Sequence, residues 1–190
     1  MSVDIKEIIH NNNGFLRTKQ FTHRNHWYQL KKLIHSNEVV KLKNGFYCMP
    51  KYGIIEQNRE VAEIIPSGVF CLFSAWQHHN LTTQNPVEYH IAIKRDEKIS
   101  IPDYPPIKIY RWSDFFFNMG IIQHNAIKIY DIEKSVCDAV RFRNKVGMDI
   151  TLEVVKNYVR SEHRNFDKLA KYARQMKIEN IMQNIIMPML

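Results

Sequence analysis

The period of the hydrophobic pattern changes within the first fifty residues, and this change constrains the fold more than any other feature of the sequence. Over residues 3–11 isoleucines recur at helical spacing, and the run Asn-Asn-Gly at 12–14 ends the predicted helix. Over residues 39–42 and 45–48 the period falls to two, and an Asn-Gly pair, the strongest short hairpin signal, connects these strands. The sequence predicts a small helical unit that ends in a β-hairpin.

Two more helical segments are predicted between the first helix and the hairpin. Residues 15–21 are long enough for one or two helical turns, and Thr22 is a suitable N-cap for the segment that follows. That third segment covers residues 23–35, and its predicted apolar face consists of Trp27, Leu30, Leu33 and Ile34. Three short helices and a hairpin, closed by Pro50, are the pattern of a winged helix-turn-helix domain, which we expect over residues 1–50.

Positive charge is concentrated in this N-terminal segment. The chain of 190 residues has a formal net charge of +8 at pH 7. Between residues 15 and 50 the only acidic residue is Glu38, against seven basic residues: Arg17, Lys19, Arg24, Lys31, Lys32, Lys41 and Lys43. A local excess of this kind is more informative than the net charge, and it is typical of proteins that bind a polyanion.

The polar face of the third predicted helix carries side chains that read base edges or bind phosphates. Arginine pairs with guanine, asparagine and glutamine pair with adenine, and lysine and tyrosine reach the DNA backbone. The surface expected to bind double-stranded DNA consists of Thr22, Arg24, Asn25, Tyr28, Gln29 and Lys32, with Lys41 and Lys43 of the hairpin close to phosphates. The alternative is a small helical cap whose polar face meets only water. We favour DNA binding because the charge, the helix order and the hairpin agree.

The remaining residues predict a larger mixed domain that ends in helices, so the expected fold class is α+β. Residues 51–59 are polar and are interpreted as a connector, and the second domain is expected over residues 60–190. Alternating patterns predict strands at 88–93, 107–112 and 126–130. Asp131 is the expected N-cap of a helix that reaches about residue 145, and two or three amphipathic helices follow. The apolar run 69–76 is buried in either form, because its periodicity does not distinguish helix from strand.

Cysteine usage and hydropathy indicate a reduced aqueous environment. The three cysteines, Cys48, Cys71 and Cys137, are far apart and form no Cys-x-x-Cys pair. No apolar run approaches the ~18 residues that span a bilayer, and Asp4 and Glu7 interrupt the apolar pattern of the N-terminus, which argues against a signal peptide. We expect a soluble cytoplasmic protein with no membrane partner. No phosphate-binding loop, dinucleotide motif or HExxH motif is present, so no cofactor is expected.

Two groups of residues are candidates for metal chemistry. Asp131, Glu133 and Asp138 would suit a divalent cation in a metal-dependent nuclease. An N-cap role for Asp131 and a favourable helix-dipole position for Glu133 explain two of these carboxylates without a metal. On a helix His78 and His79 diverge by about 100°, so a core or turn role is favoured over a shared ion. We therefore expect no metal site and no enzymatic activity.

Three segments resemble motifs of the AbiEi-type antitoxins, in the order in which that family carries them. Residues 68–84, GVFCLFSAWQHHNLTTQ, resemble the segment SAL-x-x-HGLTTQ. In this chain Trp76 replaces a smaller aliphatic residue, and Asn80 stands where glycine is usual. Residues 130–138, YDIEKSVCD, resemble T-D-x-E-R-T-x-x-D, and residues 44–50, NGFYCMP, resemble R-G-V-Y-x-x-P. The resemblance covers most of the chain.

The resemblance implies a winged-helix domain joined to an α/β antitoxin domain. It also implies a transcriptional repressor that binds inverted repeats in its own promoter, within a two-gene toxin–antitoxin operon of the abortive-infection type. The partner gene would encode a nucleotidyltransferase-like toxin, which such antitoxins neutralise without forming a stable complex (type IV). The alternative is a protein-interaction module without its own DNA specificity, which holds the toxin directly through the apolar C-terminus at residues 185–190.

Overall fold

Two β-sheets and several helices make this chain a mixed α+β protein, as the sequence predicts. The computed structural model describes residues 4–50 and 57–190. Helix accounts for 50% of the described residues and strand for 18%. Within the described part of the chain, no helix is both long enough and apolar enough to cross a membrane.

The helices and strands fall into two compact units. The first contains the described residues before Ser67 together with Ile99–Pro105, and the second contains Ser67–Lys98 and Pro106–Leu190. Residues 60–66, which the sequence pattern places in the second domain, group with the first unit. Most of the expected connector at 51–59 lies outside the described residues.

The first unit carries a three-stranded antiparallel sheet in the order β1-β3-β2. Its described elements, in chain order, are α1 (Ile5–Asn11), β1 (Phe15–Arg17), a 3-10 turn (Thr18–Gln20), α2 (Arg24–His35), β2 (Val40–Lys43), β3 (Phe46–Cys48) and α3 (Gln57–Ile64). Its core consists of Ile5, Ile9, Leu16, Leu30, Leu33, Val39 and Tyr47. The predicted hairpin is confirmed, and Gly45 at its tip has a φ of +74°, which favours glycine over residues with a side chain.

The predicted helix at residues 15–21 is wrong. Phe15–Arg17 forms strand β1, which pairs with β3 so that Phe15 lies opposite Cys48, and Thr18–Gln20 adds one 3-10 turn. The Phe15 ring stacks on the Phe46 ring with centroids 5.7 Å apart. A helix of seven residues is marginal by itself, so pairing with a strand about thirty residues away decides the conformation.

Helix α2 has nearly the predicted bounds but a different buried face. Its N-cap position is occupied by His23 without a side-chain capping hydrogen bond, so Thr22 is not the cap. The buried residues are His26, Leu30 and Leu33, spaced four and three apart. The predicted face is therefore wrong at two positions, because Trp27 is 49% and Ile34 39% exposed. The hydrophobic pattern predicts the wrong face because His26, rather than an apolar residue, occupies an inward position.

The second unit is built on a five-stranded mixed sheet in the order β6-β5-β4-β8-β7. Its strands are β4 (Val69–Phe70), β5 (Tyr89–Lys94), β6 (Ile107–Trp112), β7 (Ile121–His124) and β8 (Ile127–Tyr130). The pairs β5–β6 and β4–β8 are parallel, and the other two are antiparallel. The three predicted strands are confirmed as β5, β6 and β8, whereas β7 is an additional strand that the sequence pattern does not predict. Strand β4 lies in the run 69–76, for which the pattern leaves helix or strand open.

Helices of the second unit pack with this sheet around one apolar core. They are α4 (Leu72–His78), α5 (Asp114–Asn118), α6 (Ile132–Arg141), α7 (Arg143–Val146), α8 (Met148–Arg160), α9 (Phe166–Gln175) and α10 (Glu179–Ile186), with a 3-10 turn at Met187–Met189. The cap at Asp131 is confirmed, since its Oδ1 accepts a hydrogen bond from the Lys134 backbone N–H at 2.8 Å. The ambiguous run 69–76 is a short strand followed by a helix.

Candidate nucleic-acid interface

Helix α2 presents an exposed basic face on the side opposite its buried residues. At about 100° per residue, Arg24, Tyr28, Lys31 and His35 lie along the ridge directly opposite the core, and all four are exposed. Asn25 and Lys32 lie beside this ridge and are exposed as well. The helix contains no acidic residue. The face is therefore cationic along its whole length.

Aromatic rings lie among these cations. The Lys32 ammonium lies 4.9 Å from the centroid of the Tyr28 ring, which is a cation–π distance. On the other side of the ridge, the ring of Trp27 meets that of Phe21 edge-on, with centroids 5.1 Å apart. Lys31 and Trp27 do not belong to the DNA-binding set that the sequence predicts. The burial of His26, which fixes the rotation of the helix, is the feature that brings them to the surface.

Not every predicted DNA-binding residue of α2 has a free side chain. The Gln29 side chain is partly buried, and its Oε1 accepts a hydrogen bond from the Ile5 backbone N–H at 3.2 Å. This contact joins α2 to the first turn of α1, so Gln29 holds the two helices together. Thr22 is exposed just before α2, although it does not cap the helix.

The two lysines of the hairpin also differ in whether the side chain is free or bound within the protein. Lys41 is exposed, whereas the Lys43 ammonium donates to the Ile64 carbonyl oxygen at 2.6 Å. Burial, with the nearby charges of Arg17 and Lys19, lowers the pKa of Lys43. Arg17 donates to the carbonyl and the carboxylate of Glu63. Two cations thus bind the C-terminal end of α3, where a helix favours positive charge.

The single acidic residue between residues 15 and 50 already has a basic partner outside α2. The Glu38 carboxylate lies 2.7 Å from the Lys6 ammonium and also accepts a hydrogen bond from the Ser36 hydroxyl. The hydrogen bond from Lys6, helped by that from Ser36, lowers the pKa of Glu38. Glu38 is thus held as an anion by partners of its own and leaves the charge of the α2 face uncompensated.

The carboxylates considered for metal chemistry are held by lysines. Asp138 forms a fully buried ion pair with Lys134 at 2.6 Å. Asp131 and Glu133 both lie 3.1 Å from the Lys168 ammonium. Within residues 4–50 and 57–190, no group of three His, Cys, Asp or Glu side chains is arranged to hold a metal ion. Asp131 and Glu133 thus connect the start of α6 to α9, whereas the Asp138 pair lies within α6.

The two adjacent histidines have separate surroundings. His79 Nε2 lies 2.7 Å from the Tyr130 carbonyl oxygen, while the His78 ring meets the ring of His124 edge-on at 4.6 Å between centroids. Burial is the main cause that lowers the pKa of both. This geometry agrees with the expected turn and core roles.

Comparison with known proteins assigns no family to the chain. A scan against protein-family models finds none that matches, and a search of curated proteins finds no significant match.

Proposed function

We propose that this protein is a DNA-binding transcriptional autoregulator and the antitoxin of a bacterial toxin–antitoxin operon, resembling AbiEi. The observation that carries the DNA-binding part is the exposed α2 face, which holds Arg24, Asn25, Tyr28 and Lys32 and has no acidic residue. A helix of this composition matches the negative charge and the base edges of the DNA major groove.

The topology of the first unit supports a winged-helix interpretation. The pattern expected from the sequence is three short helices followed by a hairpin that forms the wing. Here α1 and α2 precede the β2–β3 hairpin, and the sheet order β1-β3-β2 places strand β1 beside the hairpin. A 3-10 turn at Thr18–Gln20 stands at the position of the middle helix. In this interpretation α2 binds the groove, and Lys41 lies near the phosphates.

A gel-shift assay on the DNA directly upstream of the protein's own gene tests this proposal. We expect Arg24→Ala and Asn25→Ala each to cost about 1–3 kcal/mol of affinity and to relax base preference. Lys171→Ala is the matched control, because Lys171 is an exposed lysine on α9. Unchanged affinity in both α2 variants would overturn the assignment of α2 as the groove-binding helix.

The antitoxin part depends on the three segments that resemble AbiEi-type antitoxins. A neighbouring reading frame for a nucleotidyltransferase-like protein would be its functional partner. We expect that expressing the neighbouring gene alone arrests bacterial growth and that co-expressing this chain restores it. Arrest that persists with this chain present at a higher level than the neighbour would contradict the antitoxin assignment.

A second candidate function, direct capture of the toxin, is favoured by one surface feature. Met187 and Leu190, three residues apart in the last turn, are 67% and 71% exposed, and larger exposed apolar patches are typical of protein contacts. Size-exclusion chromatography of the two co-expressed gene products distinguishes the candidates. Co-elution supports capture, and separate elution supports neutralisation without a stable complex.

A further inference from the structure

One strip of α2 alternates cations with apolar side chains. Arg24, Trp27, Lys31 and Ile34 are spaced three, four and three residues apart, which brings them to one side of the helix. All four are exposed. Neither Arg24 nor Lys31 has a carboxylate partner among the described residues. We call these four residues the α2 strip.

The apolar members of the strip are held in place. The Trp27 ring packs edge-on against Phe21, with centroids 5.1 Å apart, yet 49% of the residue remains exposed. Ile34 lies two helical turns further along and is 39% exposed. A tryptophan fixed by an aromatic neighbour and still half exposed has already lost part of its rotamer freedom, so a partner that covers it meets a smaller entropic cost.

We propose that the α2 strip contacts thymine methyl groups in the major groove of double-stranded DNA. This inference rests on the proposed function and adds the chemistry of the contact. The C5-methyl of thymine is the apolar group that base pairs present in the major groove, and phosphates flank it on both sides. Trp27 and Ile34 supply apolar surface for the methyl groups, Lys31 supplies positive charge for the flanking phosphates, and Arg24 keeps the base-reading role proposed for it above.

The charge of the strip argues against a second copy of this chain as its occupant. A spacing of three and four residues is also that of a helix–helix seam. In a symmetric seam Arg24 and Lys31 would face the same cations of the other copy, with no acid on either α2 to offset them. Duplex DNA has the opposite charge and so removes this repulsion.

The test compares two versions of one DNA probe. The region directly upstream of the gene is amplified once with thymine and once with uracil, which lacks only the C5-methyl group. Covering one methyl group is worth roughly a fourfold change in affinity. We expect the wild type to bind the uracil probe at least about fourfold more weakly. In Trp27→Ala the ratio of the affinities for the thymine and uracil probes falls towards one. The affinity of this variant for the uracil probe stays close to that of the wild type.

The control variants separate the strip from general effects on folding. Phe115→Ala removes an aromatic residue of similar exposure, 52%, from the second unit, and it is expected to keep the wild-type preference for thymine. Ile34→Ala is a second strip variant, so the test does not depend on Trp27 alone. Thermal unfolding of each variant establishes that it is folded in the binding assay.

Each result either supports the inference or overturns it. Equal binding of both probes by the wild type overturns the methyl contact and leaves the proposed function intact. An equal preference for thymine in wild type and Trp27→Ala also overturns the methyl contact and leaves the proposed function intact. Failure to bind either probe overturns both proposals. A concentration-dependent dimer that Trp27→Ala abolishes, with DNA affinity unchanged, assigns the strip to a second copy instead.

Discussion

Helices α2 and α6 are similar in length, 12 and 10 residues, and both carry charged side chains, but they use them in opposite ways. In α6, Glu133, Lys134 and Asp138 are each at most 2% exposed, and every one has an ionic partner inside the second unit. In α2 the cations Arg24, Lys31 and Lys32 all face outwards.

The comparison separates charges that are compensated inside the fold from charges that stay exposed to solvent. Taking an ion out of water costs several kcal/mol unless a counter-charge compensates it. The Lys134 ammonium is compensated by Asp138 and by the rings of Trp112 and Tyr130, whose centroids lie 4.4 and 4.5 Å away. The segment 130–138, which carries part of the resemblance to antitoxins, is thus a polar core in this protein. On α2, Arg24 and Lys31 have no carboxylate partner among the described residues and stay exposed to solvent, so under the proposed function they are available to DNA.

The largest expected effect is the loss of the buried ion pair. In Lys134→Met the Asp138 carboxylate stays buried without its partner, so we expect the free energy of unfolding to fall by about 3–5 kcal/mol. Urea denaturation followed by tryptophan fluorescence measures it. The same change at the exposed Lys31 of α2 is the control and is expected to cost less than about 0.5 kcal/mol.

The double variant Lys134→Met/Asp138→Leu sharpens this result. Replacing both charges by apolar side chains of similar size removes the unpaired ion, and we expect most of the lost stability to return. If the single change costs less than about 1 kcal/mol, Lys134 is not the buried compensating charge described here, and the contrast between the two helices fails.

Gly120 gives the next largest expected effect, because its backbone approaches the same polar core. It has a φ of +72°, and a Cβ at this position would meet the Lys134 Cβ at 2.8 Å and Asp131 Oδ2 at 2.9 Å. We expect Gly120→Ala to destabilise the protein by roughly 1–3 kcal/mol, measured by the same denaturation. Gly147→Ala is the matched control: its φ of +97° is also positive, but no atom lies within 4 Å of the added Cβ. A cost no larger than that of Gly147→Ala would show that crowding at the polar core is unimportant.

Local sequence pattern predicts the elements whose stability is local. The Asn-Gly hairpin and the Asp131 cap both depend on contacts within a few residues, and both are confirmed. Strand β1 is not predicted because it exists through pairing with β3, about thirty residues further along the chain. Strand β7 is not predicted either, although its partner β8 follows it directly. Their short sequences carry no alternation that would reveal a partner strand.

The candidate interface shows the same limit at the level of single side chains. The bounds of α2 follow from the sequence, but its rotation depends on His26, a polar residue that hydrophobic periodicity counts as outward. The hydrogen bond from the Lys43 ammonium to the Ile64 carbonyl joins residues 21 positions apart. No local pattern predicts such a contact. The sequence therefore predicts the positive charge of the hairpin, but not that Lys43 binds the Ile64 carbonyl while Lys41 stays exposed.

Glu153 is an intermediate case, a charge held at the surface by a loop. Its carboxylate accepts hydrogen bonds from the Thr83 backbone N–H at 2.7 Å and from the hydroxyls of Thr82 and Thr83. Burial raises the pKa of Glu153, but these hydrogen bonds outweigh burial and lower it below the ordinary 4.5. Glu153→Gln is expected to cost about 1 kcal/mol at neutral pH.

The pH dependence of this cost has a definite sign. A carboxylate with a lowered pKa stabilises the fold above its ordinary pKa of 4.5 and loses that contribution as the pH falls through the lowered value. The difference in unfolding free energy between wild type and Glu153→Gln should therefore shrink below about pH 4.5. A difference that is constant from pH 7 to 3 would show that the charge of Glu153 plays no part.

The smallest expected effects distinguish the two hairpin lysines. Because the Lys43 ammonium binds the Ile64 carbonyl, Lys43→Ala is expected to lower stability by about 1 kcal/mol and to change DNA affinity little. Lys41 is exposed, so Lys41→Ala should leave stability unchanged, weaken binding to all DNA sequences alike and reduce the salt slope by about 1. Affinity measured at several salt concentrations, together with urea denaturation, checks both lysines. A reduced salt slope in Lys43→Ala at unchanged stability would assign Lys43 to the phosphates as well. In that case a charge with a partner inside the first unit would not be stabilising the fold, and the contrast between compensated and exposed charges would fail there.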